Sequence, residues 1–174
     1  MNTLIVGLGN PGFEYAKTRH NIGFQVLNSL LQNKIFSKKF HGLIFKENDI
    51  VFLKPETFMN LSGKSVLACK QFFKPEKILV IHDEIEFPYG KIQFKFAGSD
   101  SGHNGLRSIS ELCGKDYYRL RIGIGKKHPV DEYVLSNFTE DISDLLHLSC
   151  EAVNSFLNSP FEDVCKLYNN RSIV

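Results

Sequence analysis

Residues Leu4–Gly12 have the sequence LIVGLGNPG, an apolar run that stops at a cluster of glycines. The first three residues predict a short strand that is buried on both faces, because such strands are continuous apolar runs. The glycines predict a sharp turn at the end of that strand, and this turn carries the polar side chain of Asn10. This strand and turn form the first of several units along the chain.

Strand and helix patterns alternate after this turn. Helical spacing of apolar residues predicts helices over Asn21–Gln32, Ser62–Phe73 and Leu106–Cys113 and around Ile142–Leu157. Strand patterns cover Ile78–Ile81, Ile92–Phe96 and Tyr118–Ile124, and a hairpin joins Leu43–Phe45 to Ile50–Leu53. Alternating strands and helices favour the α/β class. Without a repeat or linker, residues 1–174 are expected to form a single three-layer domain, with a twisted mixed sheet flanked by helices on both faces.

Composition points to an ordinary globular protein, with 43% hydrophobic and 23% charged residues. Its apolar runs are far shorter than the roughly 20 residues that span a bilayer, and the first residues lack the pattern of a signal peptide. Four widely spaced cysteines predict free thiols rather than disulfides or a zinc site. We therefore expect a cytoplasmic protein that is not bound to a membrane.

The charge is unevenly distributed along the chain. Residues 1–130 carry 19 Lys and Arg against 11 Asp and Glu, whereas residues 131–174 carry 2 against 8. A basic body suits a polyanionic partner such as a nucleic acid, because neutralised phosphates release counterions. Scattered lysines on a solvated surface would give the same count, so the charge alone leaves both interpretations open.

The turn at Gly7–Gly12 also matches the G-x-G-x-x-G pattern of dinucleotide-binding proteins. In those proteins the glycines lead directly into a helix, whereas here Pro11 drives Asn10 toward an extended conformation. The ribose-binding acid that the pattern expects about 20 residues further on is also missing, since no Asp or Glu lies between Glu14 and Glu47. The two differences disfavour a dinucleotide site.

Two residues are candidates for acid–base chemistry. His20 comes just before the first predicted helix, where an imidazole could act as a general base at neutral pH. Asp83 follows a buried strand, and the carboxyl ends of such strands are where α/β domains place ligands. An aspartate there could orient an imidazole. The alternatives are a surface or capping role for His20 and a turn role for Asp83. His82 is a weaker base candidate, because it should point away from Asp83.

Further polar residues occur in loops. Asn60 and Asn104 could each cap the helix that follows or touch a ligand, and Met59 could form an apolar wall. The small, polar loop Gly98–Gly105 could be a lid over a cleft or a plain connector. A phosphate-binding strip is predicted from basic residues near two strands, namely Lys95, Arg119, Arg121 and the pair Lys126-Lys127.

Five strings, in order, closely resemble the bacterial peptidyl-tRNA hydrolases, and the resemblance extends from Leu4 to about Phe138. The strings are GLGNPGxxYxxTRHNxG (Gly7–Gly23), TFMNLSGK (Thr57–Lys64), HDE (His82–Glu84), GHNGL (Gly102–Leu106) and RLRIGIG (Arg119–Gly125). The resemblance implies hydrolysis of the ester between a peptide and the 3′ end of tRNA, by a monomer without a cofactor or metal.

The resemblance also implies roles for individual residues. His20 would activate water, Asp83 would orient the imidazole of His20, and Asn10 would stabilise the tetrahedral intermediate. Binding of the peptide or the tRNA acceptor end is implied for Tyr15, Met59, Asn60, His103, Asn104, Lys95, Arg121 and one or both of Lys126 and Lys127. Two departures from the family pattern are a less glycine-rich loop containing Asp100 and a glutamate, Glu86, where an aspartate is usual.

Two other functions remain as alternatives. One is a non-catalytic RNA-binding module of the kind found among splicing-factor relatives of this family. The other is a dinucleotide-dependent oxidoreductase.

Overall fold

Seven strands and six helices are present in the computed structural model, which describes residues 2–174. The strands are β1 (Thr3–Gly7), β2 (Ser37–Lys39), β3 (Gly42–Glu47), β4 (Ile50–Pro55), β5 (Lys77–Glu84), β6 (Ile92–Phe96) and β7 (Tyr118–Gly123). The helices are α1 (Ile22–Leu30), α2 (Ser62–Phe73), α3 (Asn104–Cys113), α4 (Val130–Val134), α5 (Ser143–Asn158) and α6 (Phe161–Tyr168).

The strands form one sheet in the order β2-β3-β4-β1-β5-β7-β6. The central strand β1 runs parallel to β4 and β5, and β5 runs parallel to β7. Antiparallel pairing joins β2 to β3, β3 to β4, and β6 to β7. The sheet is therefore mixed, as the sequence predicts, and the structure adds that its centre is parallel and both of its edges are antiparallel.

Alternate side chains of the central strands enter two separate cores, because successive residues of a strand point to opposite faces. Ile5 and Ile81 pack with α1, α5 and α6, whereas Val6 and Val80 pack with α2 and α3. Full burial of such a side chain contributes roughly 1.5–3 kcal/mol. Helices thus cover both faces of the sheet, and the predicted three-layer α/β fold is confirmed.

Helix α1 packs directly on the turn that follows β1. A Cβ atom added to Gly23 would lie 2.3 Å from the backbone nitrogen of Leu8 and 2.5 Å from the carbonyl oxygen of Ile81. Only glycine therefore allows this approach without a shift of backbone. The contact brings the start of α1, the end of β1 and the end of β5 together at one edge of the sheet.

Several boundaries differ from the prediction. The first helix begins later, after a 3-10 turn at Arg19–Asn21, and β2 has no sequence signal because its three residues are polar and exposed. The glycines after β1 lead into a 3-10 turn at Phe13–Tyr15, not into the α-helix that a dinucleotide-binding motif requires. The four cysteines are free, and Cys69 is the buried one among them.

One part of the sheet surface is polar. Strand pairing places Arg119 and Arg121 of β7 on the face that also carries Val80 and His82, and places Lys95 of β6 beside Arg119. The apolar residues of β6 and β7 belong to the opposite core. Basic residues therefore collect on the α2/α3 side of this edge.

None of the helices in residues 2–174 has the length and hydrophobicity that a membrane crossing requires.

Candidate active site

A cavity of about 410 Å³ lies at the carboxyl ends of β1 and β5. Nine of the predicted site residues line it, namely Asn10, His20, Met59, Asn60, Asp83, Lys95, His103, Asn104 and Arg121. The tenth, Tyr15, contacts this wall through an edge-to-face packing with the ring of Phe58, at a centroid distance of 6.3 Å. Residues that are distant in sequence are therefore gathered around one space.

His20 lies in the 3-10 turn before α1, and its neighbours hold that turn in place. The guanidinium group of Arg19 stacks on the ring of Tyr133 at 4.1 Å and donates to the hydroxyl of Ser136. On the other side, Asn21 accepts from the backbone N–H of Asn10 at 2.8 Å and donates to its carbonyl at 2.9 Å. These contacts fix His20 relative to the glycine turn, whereas the sequence pattern had assigned no role to Arg19 or Asn21.

The carboxylate of Asp83 contacts two imidazoles. Its Oδ2 atom lies 2.9 Å from Nδ1 of His20, and its Oδ1 atom lies 2.8 Å from Nε2 of His103. The first contact is the one that sequence analysis predicts. The second was not predicted, because nothing in the sequence indicates that the loop before α3 returns to the end of β5.

His103 also caps α3, the role that the sequence assigned as an option to Asn104. The Nδ1 atom of His103 accepts hydrogen bonds from the backbone N–H groups of Gly105 and Leu106, at 3.1 and 3.2 Å. A ring nitrogen that accepts two N–H groups carries no proton, so the proton of neutral His103 is on Nε2. His103 therefore donates to Asp83.

The charges of this group set the protonation of its members. Burial lowers the pKa of His20, but the charge and the hydrogen bond of Asp83 together raise it above its ordinary value of 6.5. Burial raises the pKa of Asp83, but the two imidazoles lower it by more, so the net shift is downward. Asp83 is therefore an anion at neutral pH, and His20 directs Nδ1 to it and keeps Nε2 for other chemistry.

His82 is a different kind of histidine. Its Nδ1 atom lies 2.8 Å from the backbone carbonyl of Asp83, which leaves the other nitrogen unprotonated. Burial, followed by the nearby His103, lowers the pKa of His82 to about 3. This uncharged, buried ring packs against the ring of His103 at 5.3 Å. His82 thus supports His103, and its low pKa makes it a poor base.

Asn10 presents its amide group in a fixed orientation. The Oδ1 atom accepts a hydrogen bond of 2.7 Å from the backbone N–H of Met59. The side-chain amino group is then the part of Asn10 that can donate to a substrate. Met59 is buried and supplies an apolar wall, whereas Asn60 is exposed at the rim.

The basic residues near the cavity have different environments. Lys95 is exposed, whereas Arg121 donates to Glu84 at 2.9 Å and to Gln93 at 2.6 Å. Lys126 forms an ion pair of 2.8 Å with Glu86, the glutamate that stands where the family usually has an aspartate. Arg119 also lines the cavity, but it is buried and its guanidinium group is bonded to the loop before α3, so it differs from the more exposed residues of the predicted strip.

That loop is folded back on itself. The carboxylate of Asp100 accepts from the backbone N–H of Gly102, and its carbonyl accepts from the N–H of His103, both at 2.9 Å. These bonds place Asp100 at the cavity wall.

The three residues His20, Asp83 and His103 could also be considered as metal ligands, since their ligand atoms lie within 4.8 Å of one another. The cap on α3 argues against this in the arrangement described. It places the proton of His103 on Nε2, the atom that would have to bind the metal. The group fits proton sharing better than metal binding.

Comparison with known proteins gives consistent matches. A family model described as peptidyl-tRNA hydrolase matches residues 4–173. The peptidyl-tRNA hydrolase of Campylobacter curvus is 46% identical over 95% of this chain and 96% of its own length. The peptidyl-tRNA hydrolase of Sulfurimonas denitrificans is 46% identical over 95% of each chain.

Solved structures extend the comparison. The crystal structure of peptidyl-tRNA hydrolase from Acinetobacter baumannii matches with a TM-score of 0.88 and 36% identity, over 98% of this chain and 96% of that one. A [NiFe] hydrogenase maturation protease from Thermococcus kodakarensis matches with a TM-score of 0.55 at 15% identity, over 91% of this chain and 93% of that one. The second match shows a shared fold only.

Proposed function

The chain belongs to the peptidyl-tRNA hydrolase family, and we propose from this premise that it hydrolyses the ester between a peptide and the 3′ end of tRNA through His20. The observation that carries the proposal is the 2.9 Å contact of His20 Nδ1 with Asp83 at the wall of the cavity. Because Nδ1 is engaged by Asp83, Nε2 of the His20 ring is the atom that would act as the general base. Free tRNA returns to translation.

The proposed reaction begins with water activation. Nε2 of His20 takes a proton from a water molecule as the water oxygen attacks the ester carbonyl carbon. The imidazolium that forms is stabilised by the anionic Asp83, which remains deprotonated throughout the reaction. Collapse of the tetrahedral intermediate breaks the bond to the ribose oxygen, and the imidazolium returns its proton to that oxygen.

The developing oxyanion needs a donor. The amino group of Asn10 is oriented by the bond between its Oδ1 atom and Met59, so it is available without further reorganisation. Donors held in advance contribute more than donors that must reorient, because no ordering occurs in the transition state. An ester is already an activated acyl group, so these parts suffice for a mechanism without a cofactor.

We assign the binding of substrate to the remaining residues of the cavity and its rim. Asn60, Asn104 and Met59 would contact the peptide or the terminal nucleotide, and the Tyr15–Phe58 pair would extend this wall. Lys95 and Arg121 would contact tRNA phosphates at the polar edge of the sheet. A cytoplasmic location and a monomeric state are further parts of the proposal, and family membership supports them.

A turnover assay tests the proposal and separates it from the alternatives. Purified protein is incubated with N-acetyl-aminoacyl-tRNA, and release of free tRNA is measured without added cofactor. Turnover is expected. A non-catalytic RNA-binding module would bind tRNA in a salt-dependent manner without release, and a dinucleotide-dependent enzyme would bind NAD(H) in a titration.

A further inference from the structure

Arg119 is buried and bonded to the loop that precedes α3. It is 4% exposed, and its Nη1 atom donates to the carbonyl of Ser99 at 2.7 Å. Its Nη2 atom donates to the carbonyl of Ala97. A buried guanidinium is costly unless it is hydrogen-bonded, so these two backbone carbonyls help to stabilise its charge, whereas its buried Nε atom has no hydrogen-bond partner within residues 2–174. The bonds join β7 to the base of the loop.

Gly98 lies between the two carbonyls and packs against the same guanidinium. A Cβ atom there would stand 2.3 Å from Nη2 of Arg119, and the backbone has a φ of 106°. The positive φ favours glycine, and a side chain at this position would displace the guanidinium group of Arg119. Gly102, in the same loop, has a φ of 84° but no atom within 4 Å of an added Cβ. The two glycines therefore have a comparable backbone requirement and differ in their contact with Arg119.

The segment that Arg119 holds forms a wall of the cavity. Residues 99–104 line the cavity, and they include His103, which caps α3 and contacts Asp83. Two non-glycine residues of the loop, Ala97 and Ser101, have positive φ angles of 59° and 50°. Left-handed backbone of this kind persists only where surrounding contacts enforce it. The guanidinium supplies such contacts at the base of the loop.

We propose that Arg119 is a positioning residue that holds the loop Gly98–Gly102 in the shape that receives the acceptor end of the substrate, and that it does not contact RNA phosphate. The inference rests on the proposed function for the identity of the substrate. The contacts of the guanidinium and its burial distinguish Arg119 from Lys95 and Arg121, which share its face of the sheet.

The test compares Arg119→Gln, Arg119→Lys and Gly98→Ala with Gly102→Ala as the matched control. Hydrogen exchange of the amides in residues 97–103 is expected to accelerate by about tenfold in Arg119→Gln and Gly98→Ala, and less in Gly102→Ala. In Arg119→Gln and Gly98→Ala, KM for N-acetyl-aminoacyl-tRNA is expected to rise about five- to tenfold while kcat stays within about twofold. The reason is that the loop would contribute equally to binding of the substrate and of the transition state. Arg119→Lys should recover part of the effect.

The salt dependence of tRNA binding separates positioning from phosphate contact. Loss of a phosphate contact lowers the slope by about 0.7 to 0.9, whereas loss of a positioning residue leaves it unchanged. A lowered slope in Arg119→Gln, or loop exchange equal to wild type, would overturn the proposal. Equal exchange rates in Gly98→Ala and Gly102→Ala would do the same. Exchange and binding are measured without turnover, so failure of the proposed reaction would be seen separately.

Discussion

The Nε2 atom of His103 lies 2.8 Å from Oδ1 of Asp83, so the carboxylate that orients His20 is itself held by the residue that caps α3. The two imidazoles bind different oxygens of one carboxylate. The hydrogen bond from His103 draws charge from Asp83 and so weakens the hold of Asp83 on the proton of His20. The helix cap and the proposed base are therefore coupled through Asp83.

Replacement of His103 tests this coupling. In His103→Ala, Asp83 loses a donor and interacts more strongly with His20, so the pKa of His20 should rise and the acid limb of kcat/KM should move to higher pH. The same change removes the cap and should cost about 1 kcal/mol of the free energy of unfolding. The measurements are a pH–rate profile and denaturant unfolding.

His103→Asn is the control for that experiment. Asparagine is a good helix cap but is shorter than histidine, so it should restore the free energy of unfolding without restoring the contact with Asp83. The shifted pH profile should therefore persist. A profile identical to wild type in both variants would show that His103 does not act through Asp83.

Asp83→Asn removes the charge that raises the pKa of His20. With burial left as the main influence, the pKa of His20 should fall, and the acid limb of kcat/KM should move to lower pH. The maximal rate should nevertheless decrease by about a hundredfold or more, because the imidazolium loses its stabilising anion. If the acid limb of the kcat/KM profile, measured by steady-state kinetics, stayed at the wild-type pH, this would contradict the pairing of His20 with Asp83. The affinity for tRNA should be retained.

The pH dependence of the wild type follows from the same charges. The proposed base must be neutral, and the pKa of His20 lies above 6.5. The group is therefore protonated and inactive below that pKa, and kcat/KM should increase with pH through a midpoint above 6.5. Asp83 stays ionised over this range because its pKa is lowered. A midpoint well below 6.5 would contradict this assignment.

Arg121→Ala tests the phosphate contact at the polar edge of the sheet. Loss of one such contact should weaken tRNA binding and lower the slope of log affinity against log salt by about 0.7 to 0.9. Lys166→Ala is the matched control, because this exposed lysine lies on α6, against the opposite core. An unchanged slope in Arg121→Ala would mean that the pair with Glu84 withholds this guanidinium from RNA.

Much of this arrangement could be predicted from sequence, for identifiable physical reasons. Continuous apolar runs such as Ile78–Ile81 and polar residues just after them, such as Asp83, place both a strand and a site at its end. The pairing of His20 with Asp83 was implied by the family resemblance, because local pattern alone left a surface or capping role open for His20 and a turn role open for Asp83. Local pattern was sufficient for the strands and helices, because each of their signals lies within a few residues.

The unpredicted features depend on contacts across the fold. His103 reaches Asp83 because its loop folds back over the sheet, and Arg119 is buried because that loop covers it. Alternation along β7 correctly gives the face on which Arg119 lies, but cannot show which side chains a loop will cover. The strand β2 was missed because Ser37–Lys39 is entirely polar and pairs only through its backbone.

The most direct test of the central claim is turnover of N-acetyl-aminoacyl-tRNA by His20→Ala, with tRNA affinity measured in parallel. His147→Ala is the matched control, since this histidine is exposed on α5. The account predicts that kcat falls by about 10²- to 10⁴-fold in His20→Ala while tRNA affinity and the rate of His147→Ala stay near wild type. Turnover in His20→Ala at close to the wild-type rate would contradict it.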